Sequence, residues 1–170
     1  MIKSQPDEIK LLFEYPWFHK LVETCKEYNL DWLRMSAIAL ELSGGDPRFR
    51  AIDYEFLYSK LGPDNPSYLG YFDEDLNPSV EVIDRATRWG LFLIHGEAAL
   101  KLGFNGKLIN LIDIGLNTKL ACKIMSELLT KLDSQAAEKY FGVDSTNIDA
   151  RVSALQEQIQ LLTSIASEKQ

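Results

Sequence analysis

Residues 37–47 read AIALELSGGDP, a helix-forming run that stops abruptly. Ala37 to Leu42 favour a helix, and Ser43, Gly44, Gly45, Asp46 and Pro47 break one. Glycine accepts left-handed backbone, and proline has no amide hydrogen to donate. The run therefore sets a carboxylate, Glu41, near a helix end beside an irregular segment. Such a glutamate is either a general acid on the lip of a groove or a solvated charge. At the other end Asn29 or Asp31 supplies a cap, so this helix is expected to run to about Leu42.

Helical periodicity continues on both sides. Glu8 to Tyr28 carries apolar residues at helical spacing, interrupted at Pro16, which predicts two short helices. Ser43 to Pro78 is irregular, with Pro47, Pro63, Pro66 and Pro78; it is expected to hold a short helix at Ile52–Leu61 and to form one wall of a cleft. Helices are predicted at Val80–Thr87, at Phe92–Leu102 before Gly103, and at Asn117–Leu132, where Leu120, Ile124, Leu128 and Leu132 fall four apart. No run alternates apolar and polar residues as a half-buried strand does. The fold class is all-α, with at most a minor hairpin in the loop region.

The C-terminus changes character. Ile148, Val152, Leu155, Ile159 and Leu162 recur in steps of four and three, with Ile165 one place ahead of the next seam position. Phe141 to Asn147 reads as a linker. The chain thus divides into a helical domain, 1–140, and a linker with a coiled-coil-like amphipathic helix, 141–170. The seam is expected either to bind other proteins or a second copy through Ile148, Val152, Leu155, Ile159, Leu162 and Ile165, or to fold back on its own domain.

Composition narrows the function. The 170 residues are 46% hydrophobic and 25% charged, which fits an ordinary globular chain. A net charge of −7 without a basic block disfavours nucleic acid and anionic membrane surfaces. No stretch approaches the ~20 apolar residues of a membrane span. The N-terminal MIKSQPDEIKLLFEYPWFHK lacks an uninterrupted apolar run, so no signal peptide and synthesis in a cytoplasm are expected. Cys25 and Cys122 are expected as buried thiols, and His19 and His95 have no partner at ligand spacing. No metal and no cofactor are expected.

Three stretches, in order, resemble the lytic transglycosylases of the lysozyme-like superfamily, especially forms found in phage particles and endolysins. AIALELSGGDP is similar to that family's helix ending in Glu-Ser-Gly-x-x-Pro. ATRWGLFLIHGEAALKLGF, residues 86–104, resembles its Ser-x-x-Gly-Leu-Met-Gln followed by a helix and Leu-Gly. LIDIGLNTKLACKIMSELL, residues 111–129, resembles its Asp-Pro-x-x-Asn segment, with Asp113 and Asn117 at that spacing. AIDYEFLY, residues 51–58, is similar to a Tyr-Glu-Pro segment of some members, keeping Tyr54 and Glu55.

The resemblance implies a lysozyme-like helical domain with a peptidoglycan groove. One glutamate there protonates the leaving oxygen between N-acetylmuramic acid and N-acetylglucosamine, then helps the muramic 6-hydroxyl close on the anomeric carbon. The family places that acid immediately before the serine. Here Leu42 precedes Ser43 and the acid is Glu41; one residue on a helix is a rotation of about 100°, which aims Glu41 away from the groove. Gly-Leu-Met-Gln reads Gly90-Leu91-Phe92-Leu93, and Tyr140 is the nearest counterpart of the family's Ala-Tyr-Asn tyrosine. The expected function is a structural virion component, in a tail, baseplate or injection apparatus, built on a degenerate transglycosylase domain. The rivals are an active transglycosylase using Glu41, and a glycan-binding module. Ser43, Tyr54, Glu55 and Trp89 are the candidate substrate contacts, Trp89 as a platform for a sugar face.

Overall fold

The computed structural model describes residues 12–61 and 78–167, and the chain is mostly helical over them. A helical turn at 12–14 precedes Pro16, then come α1 (Phe18–Glu27) and α2 (Trp32–Ser43). The part of the first expected helix before residue 12 lies outside the described residues, as does 62–77 of the expected loop wall. Asp31 starts α2, its carboxylate accepting from the amides of Leu33 and Arg34. Gly44 ends it at φ +64°, donating its N–H to the Leu40 carbonyl at 3.0 Å. Trp17, fully buried, donates its indole N–H to the Gly45 carbonyl at 2.8 Å, so the glycine turn is tied to the core.

The next segments are β1 (Arg50–Ile52), α3 (Tyr54–Lys60), α4 (Pro78–Ala86), β2 (Thr87–Trp89) and β3 (Ile94–His95). Then follow α5 (Gly96–Lys101), a 3-10 turn (Leu108–Ile112), α6 (Ile114–Leu129), α7 (Ser134–Tyr140) and α8 (Ser145–Ser167). The short strands form one antiparallel sheet in the order β1-β2-β3, with Ala51 opposite Arg88 and Arg88 opposite His95.

This sheet corrects the expectation of a helix over Phe92–Leu102. Gly90 at φ +74° and Leu93 at φ +46° fold the chain back on itself, and the Leu93 amide bonds the Gly90 carbonyl at 3.1 Å. Helix begins only at Gly96. Helical spacing of apolar residues cannot reveal two positive φ values, one of them on a leucine.

Asn117 holds this turn. Fully buried, it accepts from the Phe92 amide at 2.9 Å and donates to the Trp89 and Leu111 carbonyls, both at 2.8 Å. A Cβ on Gly90 would lie 2.5 Å from both the Asn117 amide nitrogen and the Leu111 carbonyl oxygen. The absence of a side chain at Gly90 is therefore what lets the three segments meet.

The main core collects Trp17, Leu21, Met35, Ile38, Phe92 and Leu111 with residues of α6. Cys25 and Cys122 are buried free thiols whose sulfurs lie 3.9 Å apart where α1 meets α6. Their shared hydrogen bond, then burial, pushes the Cys122 thiol above its ordinary range. A smaller cluster of Leu61, Val82 and Ala86 joins α3 to α4, with Phe56 and Leu57 against it.

Helix α8 takes the fold-back alternative. Ile148 and Leu155 are buried in the main core, and Val152 and Ile159 pack on it, chiefly against α2. These four are thus not a free association seam, because the domain already covers them; the side chains of Leu162 and Ile165 lie outside the described residues. Of residues 141–147, read as a linker, 141–144 form the turn into α8 and 145–147 already belong to that helix, with Phe141 and Val143 buried.

Two outcomes follow for stability. Asn117→Leu strands a buried amide and two carbonyls, so its urea midpoint should fall by an amount worth about 3 kcal/mol or more, with Gly90→Ala comparable. Truncation after Gly142 removes Ile148 and Leu155, each contributing ~1.5–3 kcal/mol of burial against a typical total of ~5–15 kcal/mol. Cooperative thermal unfolding by circular dichroism should be lost in that truncation.

Candidate functional site

The residues nominated by sequence do not converge. Glu41 lies on the α2 face that meets α8, and its carboxylate accepts from Arg151 at 2.8 Å. Arg34, seven residues earlier and so on nearly the same stripe of the helix, reaches Glu138 of α7 and Asp149 of α8. Glu138, then burial working against it, then Asp149, govern the Arg34 guanidinium, which ends above its ordinary value. Leu42 packs against the main core, and the buried Ser43 hydroxyl donates to the Ala39 carbonyl at 2.9 Å. Tyr54 is exposed and stacked on Tyr58, and Glu55 is exposed beside it.

Trp89 is only 2% exposed, and its indole donates to the Asp84 carbonyl at 3.0 Å. It is a core residue that borders a hollow with Arg50, Tyr54 and Asp84 but, at that burial, presents no open face to a sugar. Burial raises the Asp84 carboxyl above its ordinary value, with Arg50 opposing.

A pocket of about 370 Å³ opens elsewhere, between the sheet, α5 and the ends of α6 and α7. Leu93, which stands where the resemblance has a groove amide, and Tyr140, the nearest candidate for its tyrosine, both line it. Its walls are largely apolar, from Phe56, Leu93, Ile94, Leu102, Ile124 and Phe141. Its polar groups are Arg88, His95, Glu97, Lys101 and Tyr140.

Ion pairs fix those polar groups. Arg85, fully buried, donates to Glu97 at 2.7 Å, and Lys101 approaches the same carboxylate at 3.4 Å. Burial works to raise the Glu97 carboxyl, but the hydrogen bond and charge of Arg85, then those of Lys101, hold it below its ordinary value. Asp53 caps α3 by accepting from the Phe56 amide, and it pairs with Arg88 at 3.0 Å. That backbone bond first, then Arg88 against the opposing effect of burial, lowers its carboxyl. Neither is a carboxylic acid ready to give a proton near neutral pH.

His95 lies beneath the Phe56 ring, at 4.3 Å between centroids, and its buried Nε2 is 4.0 Å from Asp53. Burial lowers the imidazole below its ordinary 6.5, with Arg88 acting the same way and Asp53 and Glu97 opposing.

Sequence reasoning missed Arg85, Arg88, Glu97 and Asp53. A basic residue in α4 and an acid opening α5 stand twelve apart, and no helical or strand period joins them. Asn117 was found, through its spacing from Asp113. Among the described residues no three His, Cys, Asp or Glu side chains gather to hold a metal ion, and no helix is long and apolar enough to cross a membrane. No protein-family model, no curated protein and no solved structure significantly matches the chain.

The His95 shift sets a pH dependence. The unfolded chain binds this proton more readily than the folded one, so the stability it contributes is full above pH ~6.5 and declines as pH falls through the lower, folded value. Asp53 and Glu97, shifted downward, also stabilise the fold at neutral pH and lose that contribution only at more acidic pH; Asp84, shifted upward, costs stability at neutral pH, a cost relieved as pH falls into the carboxylate range. Urea midpoints should drop on acidifying from neutral towards pH 5.5, and His95→Gln should flatten that slope. A slope equal in both proteins would remove His95 as its source.

Proposed function

We propose that this chain is a non-catalytic, lysozyme-like helical module serving as a structural part of a phage particle, in its tail, baseplate or injection apparatus. The observation that carries the non-catalytic reading is the pair at the end of α2. Leucine stands where the resemblance calls for the acid, and the neighbouring Glu41 is held by Arg151 of α8. A general acid has to aim its carboxyl at the leaving oxygen, and the Glu41 carboxylate is turned to the Arg151 guanidinium instead. Leucine has no proton to give.

The lysozyme-like reading draws support from Asn117. It stands at the spacing expected after Asp113, and it bonds directly to the turn that carries Gly90, Leu91 and Phe92. The virion reading rests on likeness to phage-borne members. Since the α8 stripe from Ile148 to Ile159 is already covered, assembly contacts in this reading come from other surfaces.

The purified, folded protein incubated with peptidoglycan should release no 1,6-anhydromuropeptides by mass spectrometry. Release that vanishes in Glu41→Gln would make it a transglycosylase, and release that vanishes in Asp84→Asn would move the acid to the hollow beside Trp89. Mass spectrometry of purified particles of the phage carrying the gene should find the protein in stoichiometric amount. Its absence from those particles would sink the virion assignment.

A further inference from the structure

We propose that the pocket between the sheet and α5 is a binding site for a small amphipathic anion, an organic carboxylate with an apolar body. This inference does not depend on the proposed function. At about 370 Å³ the cavity falls within the ~300–1,000 Å³ typical of ligand sites, well beyond a packing defect. Its apolar wall, led by Phe56, Leu93, Leu102 and Phe141, suits a hydrocarbon or aryl group.

The accessible charge at this pocket is positive. The Lys101 and Arg88 side chains are 66% and 37% exposed, whereas the Glu97 side chain is 7% exposed and engaged by Arg85. Asp53, which partners Arg88 from outside the lining, is 22% exposed. Lys101 and Arg88 are paired with Glu97 and Asp53, but each cation is more exposed than its partner and so is the group open to an incoming carboxylate. The guanidinium offers a planar fork that matches a carboxylate, and the ammonium a mobile point charge.

Backbone geometry adds an independent sign. Leu93 lines the pocket at φ +46°, a conformation that costs a leucine energy and that the turn over Asn117 enforces. That strain delivers an apolar side chain to the cavity wall. The site thus combines an apolar lining with two exposed cations, in a chain whose net charge is −7.

The test is a fluorescence titration with 8-anilinonaphthalene-1-sulfonate, an apolar monoanion, alongside the uncharged N-phenyl-1-naphthylamine, on protein whose near-ultraviolet circular dichroism is native. The sulfonate should bind saturably at one site per chain and at least tenfold tighter than the neutral dye, a gap worth about 1.4 kcal/mol. Decanoate should displace it, and inorganic phosphate, which has no apolar body, should not. Lys101→Glu should weaken binding about tenfold, and Ala98→Phe, which fills the cavity, should abolish it. Absence of binding, equal affinity for both dyes, or affinity unchanged in Lys101→Glu would each overturn the proposal. If Ala98→Phe fails to fold, the exposed Lys101→Glu variant decides alone.

Discussion

The Asn117 carboxamide is the point on which the rest of the structure depends. It bonds the backbone of the β2–β3 turn at both Trp89 and Phe92, and that of the 3-10 turn at Leu111. Each of these groups is shut away from water, where an unpaired amide or carbonyl costs roughly 1–3 kcal/mol. One buried side chain therefore bonds three backbone groups from two separate turns. The approach is so close that only glycine fits at position 90. From that junction the sheet, the pocket wall at Leu93 and the start of α6 take their positions.

Helix α8 shows how a seam finds its partner. A stripe of Ile148, Val152, Leu155 and Ile159 has to be covered, and from periodicity alone a second chain and the same chain cover it equally well. The choice was made by α2, the helix against which α8 chiefly lies. Charges reinforce it along one stripe, Arg34 to Asp149 and Glu41 to Arg151. These pairs are about a quarter exposed on the α2 side, so they set register more than they add stability. A consequence for chemistry is that the one glutamate near the family's acid position is part of a helix-packing contact.

The pocket has a different electrostatic character from the end of α2. Glu97, the carboxylate in its lining, is the least accessible of its charged groups, and it and the neighbouring Asp53 are each drawn to a cation, which keeps them ionised. His95 is shielded by Phe56 and held neutral by burial. What remains open is an apolar surface edged by Arg88 and Lys101, an arrangement suited to holding a molecule and poorly equipped to transfer a proton to it.

Local chemistry was legible in the sequence wherever a single residue decides its own neighbourhood. Asp31 and Gly44 bound α2 as their types require, the break at Pro16 is present, and the helical character of Ala37–Leu42 and of Asn117–Leu129 follows from spacing alone. That Leu42 carries no acid was also visible there, since leucine has no ionisable group in any fold. Only the tertiary structure decided the rest. A leucine at positive φ, an arginine paired with a glutamate twelve residues away, and a helix folded back on α2 all arise from contacts between segments distant in the chain or from backbone strain. Periodicity records which face a helix buries; it holds no record of what that face meets.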